Sequence, residues 1–265
     1  DEIGKKTEAQ LKSDNDNPLP YGYVHDRDVL MGKTTWEIID LDERINFPYY
    51  YPVDSANIGK DRRSLYDVLT KAMKEGKITE VYSDSYFNTK KSLKDIESSL
   101  TKIDTTNPGR EQLNAGLPIS PEYIVKTDLT AYDVSDYKIK GFWYFDKRQG
   151  ELKYRLLGIC PVTPDVYTIG AEEQDYIELF WVYFPSAREV LHNAYAFNDR
   201  NTAMPFSFDR LLNSRRFNAV IYQEENVYGD RKIDEYMKDN AQNQLLESER
   251  VKNKVRDFEQ DMWSY

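Results

Sequence analysis

The sequence is short of the residues that carry most enzyme chemistry. It holds two histidines, His25 and His192, and one cysteine, Cys160. Neither histidine has a Cys or a second His at the spacing of a zinc site, so no metal ligand set is expected. Without a histidine partner, Cys160 and the serines lack the arrangement that activates a nucleophile, and G-x-S-x-G is missing. Glycine is scarce at 12 residues, and none of it forms a loop shaped to cradle phosphate, so no cofactor is expected either. A lone cysteine closes no intrachain disulfide and does not report the compartment; between Ile159 and Pro161 it is expected to pack as a small buried hydrophobe. No apolar run approaches the roughly 20 residues of a membrane-spanning helix, so no direct membrane span is expected. The opening DEIGKKTEAQ does not read as a signal peptide.

Basic charge is also in deficit. With 36 Lys and Arg against 46 Asp and Glu, the formal net charge is -10. Nucleic acid is thereby excluded as the main partner, because neutralising phosphates requires a basic footprint. What is abundant is tyrosine, 21 residues against 11 phenylalanines. Amphipathic rings in that proportion suit a half-exposed contact surface, or a twisted sheet with one wet face. At 265 residues the chain can bury roughly three quarters of its unfolded surface, enough for one large domain or two small ones.

The stretch from Trp36 to Leu69 concentrates the features of a docking surface. Ile38, Leu41 and Ile45 fall at i, i+3 and i+7, and Thr34 with Glu37 has capping-box spacing, which predicts a short helix. Pro48 and Pro52 then force extended geometry and present Phe47, Tyr49, Tyr50 and Tyr51 on a ribbon. Those rings either cover this domain's own core or anchor a partner. Arg62 and Arg63 precede the next helix; they are ordinary surface residues or a bidentate grip on a partner carboxylate. Ser64 and Asp67 cap that helix, whose stripe is Leu65, Val68, Leu69, Ala72 and Met73. Gly76 ends it, and Ile78 to Tyr82 reads as a strand.

Ser92 caps a further helix with Leu93, Ile96, Leu100 and Ile103 inward, and Asp104 to Pro121 reads as a connector. Beyond it, Ile139 to Phe145 and Glu151 to Ile159 flank a loop of hairpin length ending in Gly150, with a third strand at Ile177 to Phe184. Pro185 breaks that strand, and Ser186 caps a short helix. Ser207 opens another helix carrying Phe208, Leu211 and Leu212, followed by a strand at Phe217 to Tyr222. After Gly229 the composition favours helix, with Val251, Val255, Phe258 and Met262 spaced as a narrow seam that fits a partner groove or the protein's own domain. The expected architecture is α+β: an antiparallel sheet with short capped helices packed on it, an N-terminal arm over residues 1–33, and a charged C-terminal helix over 230–265. Between them, residues 34–121 form a helix-rich first part of the core and 122–229 a β-rich second part.

Two carboxylate groups, Asp40-Asp42-Glu43 and Glu172-Glu173-Asp175, read as a helix face and a turn, and lack EF-hand spacing. Scattered carboxylates can still converge in space, so a hydrolase remains one alternative. A carbohydrate-binding module using exposed tyrosines is another.

The run PYGYVHDRDVLMGKTTWEIIDLDERINFPYYYP from Pro20, with GKDRRSLYDVLTKAMKEGKITEVYSDSYF and the later IKGFWYFDKRQGELKYRLLGICPV, resembles the GldN/PorN family over Pro18 to about Tyr228. That resemblance implies a periplasmic component of the type IX secretion and gliding-motility machinery, on the inner face of the outer membrane. It further implies a non-enzymatic ring subunit whose partners are a GldK/PorK-like lipoprotein, neighbouring copies of itself, and GldL/PorL- and GldM/PorM-like motor proteins. A periplasmic location requires that a signal peptide was removed or lies outside this sequence.

Overall fold

The computed structural model of the chain describes residues 7–10, 17–54, 63–116, 118, 120–168, 174–197, 206–227, 229–236 and 241–263. The first half runs β1 (Val29–Asp40), α1 (Phe47–Tyr50), α2 (Leu65–Lys74), β2 (Val81–Tyr82), α3 (Leu93–Leu100), β3 (Thr101–Thr105), α4 (Asn107–Asn114) and β4 (Ile124–Asp128). There follow β5 (Asp136–Asp146), β6 (Glu151–Pro164), β7 (Tyr176–Glu178), β8 (Trp181–Tyr183), α5 (Phe184–His192), β9 (Tyr195–Ala196), β10 (Phe206–Ser207), α6 (Phe208–Asn213), β11 (Val220–Glu224), α7 (Ile233–Tyr236) and α8 (Ala241–Trp263).

The fold is α+β around a seven-stranded antiparallel sheet in the order β11-β1-β5-β6-β8-β2, with β7 paired to β6. Its centre is the β5–β6 hairpin. Gly150 takes φ 66° there, and Asp146 Oδ1 accepts the Arg148 and Gln149 N–H groups, so the turn is closed by the residues that spell it. One face of the sheet carries Ile39, Tyr137, Ile139, Leu156, Ile159 and Val182 into the main core. Helices α2, α5 and α6 cover that core with Leu65, Leu69, Phe184, Leu191, Phe208 and Leu212. Ser64 and Ser207 accept the Asp67 and Arg210 N–H groups, so α2 and α6 start where their caps predict. The opposite face holds Trp36, Cys160 and Trp181 beneath Tyr82, Phe87 and Tyr222. Cys160 is buried as an apolar residue, as expected.

Several expectations are corrected. Residues 34 to 40 are not helical: β1 pairs with β5 from Val29↔Asp146 to Asp40↔Asp136, so the Thr34–Glu37 capping box does not exist. From Thr34 to Ile39 both faces of β1 are covered, which removes the alternation a half-buried strand would show, and the β-branched Thr34, Thr35, Ile38 and Ile39 suit the pleat. A domain edge at 33/34 therefore falls inside β1, and strands from both sides of 121/122 build the same sheet. The chain before β1 is also tied down: the Tyr21 hydroxyl donates to Asn213 Oδ1 at 2.9 Å, and its ring lies under the guanidinium groups of Arg188 at 4.4 Å and Arg155 at 5.1 Å. Ile103 leaves the α3 stripe for β3, and α4 opens inside the expected connector. In α4 and α5 the prolines, Pro108 and Pro185, sit in the first turn, where a missing N–H costs nothing. Pro185 thus starts a helix instead of separating strand from helix, and Ser186 lies within it. The single third strand expected at Ile177 to Phe184 is two short strands, β7 and β8.

A candidate interaction surface

Pro48 lies in the first turn of α1, and the segment from Phe47 to Tyr50 closes one helical turn rather than an extended ribbon. That difference decides which rings face outward. An extended ribbon alternates, grouping Phe47, Tyr49 and Tyr51; a helix advancing about 100° per residue groups Phe47, Tyr50 and Tyr51 and turns Tyr49 to the other side. The structure follows the helical grouping. Tyr49 is 0% exposed, lies 6.2 Å from the Phe217 ring and 6.4 Å from Phe208, and donates its hydroxyl to the Arg216 carbonyl at 3.2 Å. Burial pushes its phenol pKa up. Tyr49 is a core residue and is corrected as a partner anchor.

The other rings are available. Phe47 is 37% exposed and Tyr51 43%, their centroids 5.4 Å apart at 80°. Tyr50 is half-buried, 4.8 Å from Tyr51 at 78°, and donates its hydroxyl to the Tyr132 carbonyl at 3.0 Å. Its pKa is raised, first by burial and then by the neighbouring Tyr51 and Asp133. Ile45 and Tyr132 are also exposed. The near-perpendicular rings do not form the flat row on which a sugar would stack; Phe142 and Tyr144 are closer to parallel at 18°, but Tyr144 is buried under Arg155.

The remaining residues singled out in the sequence lie elsewhere. Arg62 falls outside the described residues. Arg63 directly precedes the Ser64 cap of α2, and its charge acts on Asp67. On α8, Val251 and Val255 are buried, Val251 in a cluster with Ile221 and Ile233, while the Phe258 ring meets Phe145 at 5.9 Å. The seam is used within the protein, which corrects Val251 and Val255 as partner contacts. Met262 lies in α8, with its side chain outside the described residues. The helix also covers a strand edge: Ser248 Oγ accepts the Ile221 N–H at 2.9 Å, and Lys252 Nζ donates to the Ala219 carbonyl at 2.5 Å. The Ile221 N–H would otherwise offer β11 to another strand.

Sequence reading missed the cation that holds this surface's foundation. Arg215 donates to both oxygens of buried Glu37, at 3.1 and 2.7 Å, and its guanidinium lies over the rings of Tyr154, Trp143 and Phe217 at 4.2, 4.8 and 5.0 Å. Burial opposes the Arg215 charge, and the Glu37 carboxylate together with Tyr154 more than offsets this, holding its pKa above the ordinary value. Nothing local marks Arg215, whose partner is distant in sequence. Gly141 is likewise required by this layer, since a Cβ there would fall 2.1 Å from the Tyr154 hydroxyl oxygen. Among the described residues, no group of three His, Cys, Asp or Glu is placed to hold a metal ion. Glu172 and Glu173 lie outside the described residues.

The architecture is that of an α+β protein in which a rigid antiparallel sheet carries an outward-facing aromatic group on a single helical turn. The model of the family described as gliding motility associated protein GldN matches residues 24–264, and the chain belongs to that family. The match extends past Tyr228, where the sequence resemblance stops, and takes in α8. No curated protein matches the chain. No helix among the described residues is long and apolar enough to cross a membrane.

Proposed function

We propose that this gliding motility protein is a non-enzymatic structural subunit of a periplasmic ring serving type IX secretion and gliding, held at the inner face of the outer membrane. It assembles with a GldK/PorK-like lipoprotein and with neighbouring copies of itself, and is coupled to GldL/PorL- and GldM/PorM-like motor proteins. Family membership supports this reading. The observation that carries it is the pair Phe47 and Tyr51, rings left partly outside beside the half-buried Tyr50, while the adjacent Tyr49 fixes their turn to the core. Aromatic side chains in such a position supply contact area at low entropic cost, and a few of them typically dominate an interface. Coexpression with a GldK/PorK-like lipoprotein, purification from membranes and electron microscopy test it: rings containing both proteins are expected, and a monomer that never copurifies with the lipoprotein contradicts it.

A further inference from the structure

Ahead of β5 the chain forms a separate two-stranded ribbon, β3 paired with β4. All of β4 is exposed, so neither of its faces packs on the core, and a ribbon of this kind rarely persists in water unaided. The ends of the ribbon fix which way its backbone points. The Thr106 N–H donates to the Tyr123 carbonyl at 2.9 Å and the Leu129 N–H to the Leu100 carbonyl at 2.8 Å. Antiparallel alternation then turns the backbone groups of Val125 and Thr127 toward β3 and leaves those of Ile124, Lys126 and Asp128 on the outer edge. That edge is closed at its margins, where the Ile124 N–H donates to the Pro121 carbonyl and the Thr130 N–H to Asp133 Oδ2. Between them, β4 pairs with β3 alone among the described residues, and the N–H and carbonyl groups of Lys126 and Asp128 face outward. The opposite edge of the ribbon is partly occupied, since Arg110 Nε donates to the Thr105 carbonyl at 3.2 Å.

We infer that the outer edge of β4 pairs antiparallel with the same edge of a second copy, about a two-fold axis at Thr127. The attraction comes from the backbone, as Lys126 and Asp128 exchange N–H to carbonyl bonds across the axis. The side chains select the register. An axis at Lys126 sets the two lysines opposite each other, and one at Val125 sets Asp128 opposite Glu122; like charges so placed are destabilising. An axis at Thr127 instead sets Lys126 opposite Asp128 of the second copy, and Asp128 opposite its Lys126. Lys-Thr-Asp is thus self-complementary when read antiparallel. Within the chain Lys126 Nζ already lies 2.9 Å from Asp128 Oδ2, Thr101 donates to Asp128 Oδ1 at 2.7 Å, and the Lys74 charge also acts on Asp128. Both Lys126 and Asp128 stay exposed, so a second pair can join and the charges alternate around the seam. Exposed ion pairs add little energy, and these serve to exclude wrong registers. An edge lysine ordinarily blocks pairing with stray strands; here it permits pairing with its own copy. The contact is isologous and closes at two copies, so it does not build the ring proposed above and goes beyond that reading.

The test uses the whole protein without the lipoprotein, so its failure leaves ring assembly to be judged separately. Cysteine is placed at single positions and oxidised with copper phenanthroline, and the cross-linked dimer is followed on non-reducing gels; the native Cys160 is buried. At the axis, the two Thr127 Cα atoms stand about 4.5 Å apart as a non-hydrogen-bonded pair, within disulfide reach. In the same register the two Val125 Cα atoms are more than about 13 Å apart. Thr127→Cys is therefore expected to cross-link at least about tenfold faster than Val125→Cys or than Glu151→Cys on the exposed hairpin. In the Thr127→Cys background, Lys126→Glu sets like charges opposite each other and is expected to slow cross-linking about tenfold, and adding Asp128→Lys should restore it. Melting curves verify that each variant folds. Cross-linking of Thr127→Cys no faster than of Glu151→Cys overturns the inference, as does fastest cross-linking by Val125→Cys. Failure of the charge exchange to restore the rate overturns it too.

Discussion

Glu37, on a central strand with its side chain 1% exposed, accepts two hydrogen bonds from Arg215, a residue 178 positions later that sits at φ 50° just after α6. The pair joins the middle of the sheet to the helix layer. Removing one member leaves the other as an uncompensated buried charge. Arg215→Met is expected to cost about 3–5 kcal/mol, read from urea unfolding, and the double variant Glu37→Leu with Arg215→Met should recover much of that loss.

Tyr49 and its neighbours should separate cleanly. Tyr49→Ala empties a core site between Phe208 and Phe217 and is expected to cost about 3–5 kcal/mol. Phe47→Ala and Tyr51→Ala, being partly exposed, should each cost under about 1 kcal/mol. Thermal melts of the three variants check this, and equal losses would place all three rings in the core.

The contrast also shows what could be read from sequence. The α+β class, the β5–β6 hairpin and the serine caps of α2, α3 and α6 were legible because each depends on neighbours in the chain. β1 was not, since a strand covered on both faces loses its alternation and Glu37 in its middle looks like a polar helix position until Arg215 is placed beside it. The aromatic segment was located correctly but its facing was not: two prolines fit a helical turn as well as a ribbon, and only packing of Tyr49 chooses. Why the seam of α8 faces inward was equally invisible, because the β11 edge it covers forms only through pairing with β1.

The Asp67 carboxyl provides a pH signature. Burial raises its folded pKa above the ordinary carboxylate value, so folding favours the protonated form. The contribution is favourable below the unfolded pKa and is lost as pH rises through the folded one. Asp67→Asn is therefore expected to melt higher than the parent at neutral pH, with the advantage disappearing as pH falls below the ordinary carboxylate range. Melting curves across that range check it; an advantage that grows in acid would contradict it.

Covering of the β11 edge by α8 predicts a different failure. Ser248→Ala leaves the buried Ile221 N–H without its acceptor and should cost about 1–3 kcal/mol. Deleting everything from Ala241 should lower the melting temperature and promote self-association through the bared strand, measurable by light scattering. A truncated chain that stays monomeric at the parent's melting temperature would show that α8 protects nothing.

The assembly reading is tested most directly by one variant. Phe47→Ala combined with Tyr51→Ala removes the outward rings while Tyr49 keeps the turn in place. The double variant is coexpressed with a GldK/PorK-like lipoprotein, its fold verified by melting, and membrane-purified material is viewed by electron microscopy. The account predicts a folded protein with rings largely lost; rings as abundant as the parent's, from a protein equally stable, would contradict it.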